Sequence, residues 1–444
     1  MGAAAVRAAA TEGRRWFAGL GTLLLAACAD GDGSRPADAG QNTESAPPAS
    51  SPATPVAGNL ADCAWLLRSD PVLVNFLYPD QDAVYYISVV PAVPGLELRI
   101  RGEFPHSRYM SFVSYDGLPV DAVLDRELPP EAGSQNPYRV GADRSAAARA
   151  YQLELRAEPP PTDPSQRVPG VLYTGAGQGG VGSPVAYLFY RLYVPDQGSG
   201  ATGGVPLPQI ELAGQPLPEA FQPLSCERLR QLLPSLAGVP EAYAQLDSPA
   251  LPLSLLRAEP EPVWTVESGL TAGALGGTPL AGEVSGGPGS NPHNKYIAAP
   301  VSRAYGDLLL LRARAPSAPR TREGQALMTD GELRYWSICM NSRSTRYISC
   351  RSDSDIVVDP DGQFTLVIST PDARPASARN WLPFGPEPEG QLLYRHMLPS
   401  PQFYPYSAQG GEHSGQPLAA TMGAYYPRAR YCSREEFEVN RCGL

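Results

Sequence analysis

Three short blocks of this sequence occur twice in the same order, and they limit the folds open to the chain. The first block holds an Arg-Tyr pair, the second an aromatic segment before a glycine, and the third a Tyr-Arg pair in an apolar run. Self-similarity of this kind indicates a repeated structural unit. The copies read Arg108-Tyr109-Met110-Ser111 and Arg334-Tyr335-Trp336-Ser337, Val171–Gly175 and Trp381–Gly385, and Tyr190–Pro195 and Tyr394–Pro399. We therefore predict two copies of one domain, related by internal duplication.

The apolar pattern inside each copy has the period of a β-strand. Leu96–Arg101 and Tyr151–Leu155 alternate apolar and polar residues, and Phe364–Ile368 is more continuously apolar, as in a sandwich core. The chain has 49 prolines and 44 glycines, so turns are dense and long helices are disfavoured. One helix is predicted at about 225–236, with Ser225 as its N-cap. The fold class predicted is mainly β, with two tandem jelly-roll-like β-sandwich domains and few short helices.

The repeats also place the domain boundaries. We expect the first β-sandwich domain at 59–240 and the second at 276–444. The segment 241–275 between them is interpreted as a linker, and a Pro- and Gly-rich stretch follows at 282–289. Together the two domains account for nearly all of the chain after its first 58 residues.

The second copy resembles a bacterial family of unknown function, and four of its segments carry the resemblance. They are Arg334-Tyr335-Trp336-Ser337, Asp361-Gly362-Gln363-Phe364-Thr365-Leu366, Asn380-Trp381-Leu382-Pro383 and Leu393-Tyr394-Arg395. These are similar to the domain-of-unknown-function family 1214. The first copy resembles the usual N-terminal companion of that family, numbered 1254, or a divergent copy of the same domain. The resemblance spans most of residues 75–400. It implies paired jelly-roll-like β domains in an exported protein, and it implies no catalytic residues.

The first 28 residues have the features of an export signal. Arg7, Arg14 and Arg15 form a positive region, and the apolar run Trp16–Ala27 is shorter than the roughly 20 residues that span a bilayer. The run ends in Leu25-Ala26-Ala27-Cys28, which resembles the lipobox of bacterial lipoproteins. We therefore predict lipidation of Cys28. An ordinary signal peptide with a chance cysteine is the alternative.

The segment 29–58 is predicted to be a disordered tether. It is rich in Ala, Pro, Ser, Gly, Thr and Asp and has no aromatic residue, so it cannot bury a core. Thirty residues of coil give a mean reach of about 30 Å. Ala29, the residue after the lipobox cysteine, is not Asp, and this resembles an outer-membrane address. We expect a cell-envelope protein, lipid-anchored at the outer membrane.

Six cysteines remain after Cys28, and an even number in an exported chain predicts disulfides. Six cysteines allow 15 pairings. Proximity in the sequence favours the three pairs Cys63–Cys226, Cys339–Cys350 and Cys432–Cys442. The chain has no CxxC motif and only four histidines, so zinc and thiol-redox chemistry have little support.

Composition and motifs exclude several functions. The net charge of −10 with no basic cluster argues against nucleic acid as a partner. No Gly-x-Ser-x-Gly, His-Glu-x-x-His or phosphate loop occurs, and we predict no cofactor and no metal. The acidic run Asp353-Ser354-Asp355 with Asp359-Pro360-Asp361-Gly362 could hold calcium. Asp-Pro-Asp-Gly is also an ordinary β-turn composition, which we favour.

The repeated arginines give the only pointer to a site. Arg108 and Arg334 occupy matching places, as do Arg191 and Arg395. One interpretation is a salt bridge within each sandwich, for instance from Arg191 to Asp116 or Asp121. The other is a cleft between the domains that binds an anionic or hydroxylated ligand. The residues predicted for such a cleft are Arg108, Tyr109, Arg191, Arg334, Arg395, His106 and His293.

Two classes of function stay open on the sequence alone. The first is a lipid-anchored envelope lipoprotein that binds a small anionic or sugar ligand or scaffolds a surface assembly. The second is an extracytoplasmic hydrolase or lyase acting on a carbohydrate or lipid at the cleft between the domains, which rests on analogy between folds. The absence of a catalytic motif favours the first.

Overall fold

A computed structural model describes residues 64–65, 67–72, 75, 78–116, 118–175, 185–216, 258–267, 289–343 and 345–444. These residues contain nineteen β-strands and three short α-helices, so the chain is mainly β as predicted. Several predicted features lie outside the described residues, namely the lipobox at Cys28, the tether 29–58, the pair Cys63–Cys226 and the helix at 225–236. Among the described residues, no helix is long and apolar enough to cross a bilayer.

Ten strands form the first sandwich. They are β1 Leu67–Ser69, β2 Ala83–Pro91, β3 Leu98–Glu103, β4 Ser107–Asp116, β5 Leu118–Leu124, β6 Ala150–Arg156, β7 Val171–Tyr173, β8 Val185–Pro195, β9 Gln209–Leu212 and β10 Gln215–Pro216. One sheet has the order β1-β2-β8-β4-β5, and the other has the order β10-β9-β3-β6-β7. A single buried cluster takes side chains from both sheets, including Ile100 and Leu153 from one and Phe112 and Leu188 from the other. The two sheets therefore enclose one core.

Nine strands form the second sandwich. They are β11 Thr265–Glu267, β12 Asn294–Ser302, β13 Leu308–Arg314, β14 Tyr335–Asn341, β15 Tyr347–Ser352, β16 Gln363–Ser369, β17 Asn380–Pro383, β18 Glu389–Met397 and β19 Arg428–Cys432. The sheet orders are β11-β12-β18-β14-β15 and β17-β16-β13-β19. Because β11 pairs with β12, this sandwich begins inside the segment 241–275 that the sequence suggested was linker. Its boundary therefore precedes residue 276.

The three helices all lie near the C-terminus. They are α1 Ala408–Ser414, α2 Leu418–Met422 and α3 Arg434–Asn440. Serine hydroxyls cap two of them: Ser407 accepts from the Gly410 amide, and Ser433 accepts from the Glu436 amide. Leu418 and Met422 of α2 pack into the core of the second sandwich, whereas Phe437 of α3 packs on the outer face of its four-stranded sheet.

The two sandwiches share one strand order. Nine strands, β1 to β9, correspond in order to β11 to β19, and both copies contain the same parallel pair, β6 with β7 and β16 with β17. The repeated tyrosines occupy matching registers, since Tyr109 faces Tyr193 across β4 and β8 and Tyr335 faces Met397 across β14 and β18. This arrangement is what duplication predicts, and the common origin of the halves stays a prediction.

Each sandwich has one equivalent tryptophan, Trp65 or Trp264, that lies outside the repeated blocks. The indole of Trp65 donates to the Pro208 carbonyl at 2.8 Å, just before β9. The indole of Trp264 donates to the Pro427 carbonyl at 2.8 Å, just before β19. Both indoles are buried, so each hydrogen bond satisfies a polar group that would otherwise be costly. Each tryptophan thereby ties the start of its sandwich to the segment that leads into an equivalent strand, β9 or β19.

Two of the predicted disulfides are present. Cys339–Cys350 joins facing residues of β14 and β15, and Cys432–Cys442 links the end of β19 to the turn after α3. The second disulfide closes the C-terminal segment onto the outer face of the sheet, where both sulfurs join the small apolar cluster beneath α3.

A third apolar cluster fills the junction between the sandwiches. It combines Tyr109 and Tyr193 of the first half with Tyr335 and Met397 of the second. The Tyr193 and Tyr335 rings lie 5.4 Å apart in an edge-to-face arrangement. The outer faces of both sheets are therefore covered here, and polar side chains on those faces are buried.

Candidate functional site

The four repeated arginines all lie at this junction. Their exposed fractions are 0% for Arg108, 0% for Arg191, 5% for Arg334 and 1% for Arg395. A buried guanidinium needs a carboxylate or several hydrogen-bond acceptors to offset its lost hydration. The partners of each arginine therefore decide whether it is structural or free to bind something else.

Arg108 and Arg334 form reciprocal ion pairs across the junction. Arg108 contacts Asp353 of the second sandwich at 2.5 Å, and Arg334 lies 3.9 Å from Asp125 of the first. The two acids are equivalent in the fold, because Asp353 accepts from the Trp336 amide and Asp125 accepts from the Met110 amide, each at 3.1 Å. Burial raises the pKa of Asp125 to about 6, and the charge of Arg334 opposes that rise. These arginines hold the two sandwiches together.

Arg395 is also neutralised across the junction. It pairs with Asp80, which lies just before β2 of the first sandwich. Asp80 additionally accepts from the Tyr335 hydroxyl and the Ser337 hydroxyl, each at 2.6 Å. The sequence had suggested salt bridges within each sandwich. All three ion pairs instead run between sandwiches, because the arginines lie on the outer faces that meet.

Arg191 differs from the other three. Its Nη2 donates to the Tyr115 hydroxyl at 2.6 Å and to the Gly289 carbonyl at 2.7 Å. The guanidinium lies 5.0 Å from the Tyr85 ring centre and 4.8 Å from that of Phe189. Its Nε and Nη1 are buried and have no hydrogen-bond partner in the described part of the chain. No carboxylate among the described residues forms an ion pair with it.

Of the two acids proposed for Arg191 from the sequence, the Asp116 side chain lies outside the described part of the structure, and Asp121 has other partners. Asp121 binds Arg167 at 2.5 Å and accepts from the Tyr173 amide at 3.0 Å. Tyr190, the neighbour of Arg191, fills the core of its own sandwich. Because neighbours on a strand point to opposite faces, Arg191 points to the junction. Arg191 is nevertheless fully buried, because the second sandwich covers this outer face.

The fold gives a direct reason for this difference. Arg395 pairs in register with Tyr296 and Ser337, and Arg191 pairs with Tyr85 and Ser111. In each copy, the residue that faces the other half lies five positions before the tyrosine that pairs with the arginine. This residue is Asp80 before Tyr85 and Asn291 before Tyr296. The carboxylate that neutralises Arg395 is thus replaced near Arg191 by an uncharged amide.

A second substitution of the same kind lies two residues further on. Asp82 forms an ion pair with Arg322, whereas the matching residue is His293. The Nδ1 of His293 lies 2.8 Å from the Tyr109 hydroxyl, which also contacts the Asn291 amide. Burial, followed by the charges of Arg191 and Arg126, lowers the pKa of His293 to about 3, so it is neutral at pH 7.

We name the group around this arginine the Arg191 cluster, which comprises Arg191, Tyr109, Tyr115, Asn291 and His293. It contains one buried cation and no carboxylate. Two further buried polar atoms nearby in the chain, Ser290 Oγ and Asn294 Oδ1, have no partner among the described residues. Such a cluster attracts a small anion, because an uncompensated buried charge is strongly unfavourable.

The remaining predicted residue, His106, lies in a different environment. Arg149 donates to its ring, and the neighbouring Arg144 binds Asp196 at 2.5 Å. Burial and the charge of Arg149 lower the pKa of His106. The structure therefore brings Tyr109, Arg191 and His293 together and places His106 with other arginines.

Sequence reasoning missed the acids and amides that decide the site. Asp80, Asp82, Asn291 and His293 precede the matched tyrosines of β2 and β12 at equal spacing. Extending the repeat alignment five residues toward the N-terminus would have shown the exchange of two acids for two neutral side chains. The reciprocal pairing itself needed the tertiary structure.

The acidic run considered for calcium has other partners. Arg108 binds Asp353, Arg379 binds Asp359 at 2.9 Å, and Arg312 lies 3.2 Å from Asp361. The amide of Gly362 donates to the Asp359 carbonyl at 2.9 Å, which forms the turn that its composition favoured. The arginines thus occupy the carboxylates that calcium would need.

Comparison with known proteins gives structural neighbours only. No protein-family model matches the chain, and no curated protein matches it in sequence. The fold is similar to a crystal structure of an uncharacterised protein from Burkholderia cenocepacia, with a TM-score of 0.48 and 16% identity over 85% of this chain and 84% of that one. It is also similar to the VPA0106 protein from Vibrio parahaemolyticus, with a TM-score of 0.39 and 12% identity over 81% of this chain and 92% of that one.

Proposed function

We propose that this chain is a cell-envelope lipoprotein that binds a small anionic ligand, a carboxylate in the first instance, at the Arg191 cluster. The single observation that carries the ligand-binding part is the unpartnered Nε and Nη1 of a fully buried arginine. Three structurally related arginines at the same junction each face a carboxylate. The fourth has none among the described residues.

The comparison of the two halves favours a carboxylate. At the Arg395 position a carboxylate accepts from the guanidinium and from the hydroxyls of Tyr335 and Ser337. The same donor types, a guanidinium, a tyrosine hydroxyl and a serine hydroxyl, occur at the Arg191 position as Arg191, Tyr109 and Ser111. A planar carboxylate matches the fork of guanidinium donors. The fold itself therefore contains an internal example of the ligand class.

The neutral side chains around Arg191 strengthen this preference. His293 carries no charge at pH 7, so Arg191 is the only charged side chain of the cluster and its guanidinium is the group that attracts an anion. Tyrosine rings enclose the guanidinium and exclude water, which strengthens its attraction for an anion. The carbonyl groups of Gly289 and Ser290 cap the Nη2 side. Nη1 and Nε are left as the donors for a ligand.

The test uses Asn291→Asp, which adds the missing carboxylate within the chain. Wild-type protein is dialysed free of small anions and then titrated with sodium acetate at constant ionic strength, and its thermal midpoint is followed. At 100 times the Kd we expect about 2.7 kcal/mol of stabilisation. Asn291→Asp should be more stable without acetate and should no longer respond. Arg191→Met should also fail to respond.

Asn440→Asp is the matched control, because it adds the same charge at an exposed position of α3. It should respond to acetate like the wild type. An acetate response that is absent in the wild type, or unchanged in Asn291→Asp, would overturn the proposal.

The envelope part of the proposal rests on the sequence Leu25-Ala26-Ala27-Cys28 and on the tether-like composition of 29–58. A folded body on a tether of about 30 Å can meet ligands away from the bilayer surface. The multiple acyl chains of a lipoprotein suffice for stable anchoring. The outer membrane is the proposed location, and the resemblance to families 1214 and 1254 agrees with an exported protein.

A further inference from the structure

The second sandwich has a cavity outside its core. It encloses about 260 Å³ on the outer face of the four-stranded sheet β17-β16-β13-β19. The residues that line it come from the strands, from the loops at 357–359 and 377–379, and from the C-terminal segment. They are Arg312, Val357, Asp359, Thr365, Val367, Ser377, Ala378, Arg379, Asn380, Phe437 and Arg441.

The wall on one side belongs to the C-terminal segment. Phe437 is buried on the sheet, and the disulfide Cys432–Cys442 fixes both ends of the segment that contains it. Arg441 follows α3 directly and donates to the Ser377 hydroxyl at 2.8 Å, which connects this wall to the opposite loop. The cavity is therefore preformed by a covalent closure and not left by loose packing.

Three guanidinium groups and one carboxylate line this cavity. Asp359 binds Arg379 at 2.9 Å and lies 3.6 Å from Arg312. Arg441 has only neutral partners among the described residues, the Ser377 hydroxyl and the Phe437 ring at 4.4 Å. Arg312 also reaches Asp361, and the exposed Glu438 accepts from the Ser377 hydroxyl at 2.8 Å, so three arginines and three carboxylates lie around the cavity. Unlike Arg312 and Arg379, Arg441 forms no ion pair among the described residues, so its guanidinium is the one open to an added carboxylate.

The lining combines this charge with groups that bind hydroxyls and with an apolar floor. Asp359, Thr365 and Ser377 offer oxygen atoms that can accept from hydroxyls, and Val367, Ala378 and Phe437 form the apolar surface. The volume is larger than a single phosphate or sulfate needs and lies just below the usual range for small-molecule pockets. Asp359 also repels a densely charged oxyanion.

We propose that this cavity binds a uronic-acid unit, with its carboxylate at Arg441 and its hydroxyls toward Asp359 and Thr365. Guanidinium groups suit a carboxylate because they present paired donors. A sugar ring fits an apolar floor through its C–H face and a polar rim through its hydroxyls. This site is independent of the Arg191 cluster, and either proposal stands if the other fails.

The experiment titrates the full folded chain with sodium D-galacturonate, with D-galactose and with sodium sulfate at constant ionic strength, using calorimetry. We expect galacturonate to bind with a Kd of about 1 mM or tighter, and galactose and sulfate to bind at least tenfold more weakly. Trigalacturonate is titrated next. If it binds more tightly than galacturonate, the ligand is a uronic-acid unit within a glycan, and if the two bind equally, the ligand is the free sugar acid.

Arg441→Gln should weaken galacturonate binding by about 10- to 100-fold, the range for losing one charge-assisted hydrogen bond. Arg434→Gln, which removes a charge from an exposed position of the same helix α3 outside the cavity, is the matched control and should bind normally. Asn291→Asp should leave this binding unchanged, which separates the two sites. Equal binding by wild type and Arg441→Gln, sulfate binding as tightly as galacturonate, or no galacturonate binding overturns the proposal.

Discussion

Asp80→Asn is the perturbation with the largest effect that the structure predicts. Asp80 is 0% exposed, and its carboxylate takes the charge of Arg395 together with hydrogen bonds from Tyr335 and Ser337 at 2.6 Å. Asparagine fills nearly the same volume but has no charge and only one acceptor oxygen. The variant therefore leaves a buried guanidinium without its counter-ion.

The expected magnitude follows from that loss. Removing one partner of a buried ion pair costs about 3–5 kcal/mol, because the remaining charge stays desolvated. Asp80 also joins the two halves, so both sandwiches should lose stability together. The double variant Asp80→Asn, Arg395→Met removes both charges, and it should recover about 2 kcal/mol or more of the loss.

Urea unfolding at pH 7, followed by intrinsic fluorescence, measures these differences. Asp80→Asn also reproduces at Arg395 the neutral environment that Arg191 has in the wild type. We therefore expect its stability to depend on added acetate more steeply than that of the wild type. A loss below about 1 kcal/mol, or a double variant no more stable than the single one, would refute the reasoning from a desolvated charge.

Three further predictions concern pH, the disulfide and the anchor. The pKa of His293 falls from 6.5 in the unfolded chain to about 3 in the folded one, so its contribution to stability is fully present above pH 6.5 and is lost as the pH falls toward 3. The difference in unfolding free energy between wild type and His293→Gln should change by about 1.4 kcal/mol per pH unit between pH 4 and 6, measured by urea titration, and a flat difference would contradict it. Replacing Cys339 and Cys350 together by serine should cost about 3 kcal/mol on the chain-entropy model, and an unchanged urea midpoint would argue against it. Cys28→Ser should release the protein from the membrane fraction or leave it unprocessed, and mature-length protein that still sediments with membranes would rule out the lipid anchor.

The repeated blocks gave correct positions for the residues that matter most. Tyr109 and Tyr335 lie in matching registers, as do Arg191 and Arg395, because a side-chain period of two fixes which face each residue takes. The alternating segments formed β3, β6 and β16. What the blocks did not show was that β11 belongs to the second sandwich, because a three-residue strand has too few positions to display a period.

The sequence by itself determined the class of fold, because strand periodicity, dense turns and repeated blocks are local properties of the chain. It also determined two disulfides, Cys339–Cys350 and Cys432–Cys442, because close spacing makes those pairings favourable. It singled out the arginines as unusual because charged residues inside strands need partners.

Only the tertiary structure decided what those partners are. Arg108 and Asp353 are separated by 245 residues, and Arg395 and Asp80 by more than 300, so no local pattern could pair them. The pairs form because two similar sandwiches bury their outer faces against each other, which removes water from groups that alternation alone would place at a surface. Arg191 is left without a carboxylate among the described residues, since Asn291 occupies the position in the second half that Asp80 occupies in the first.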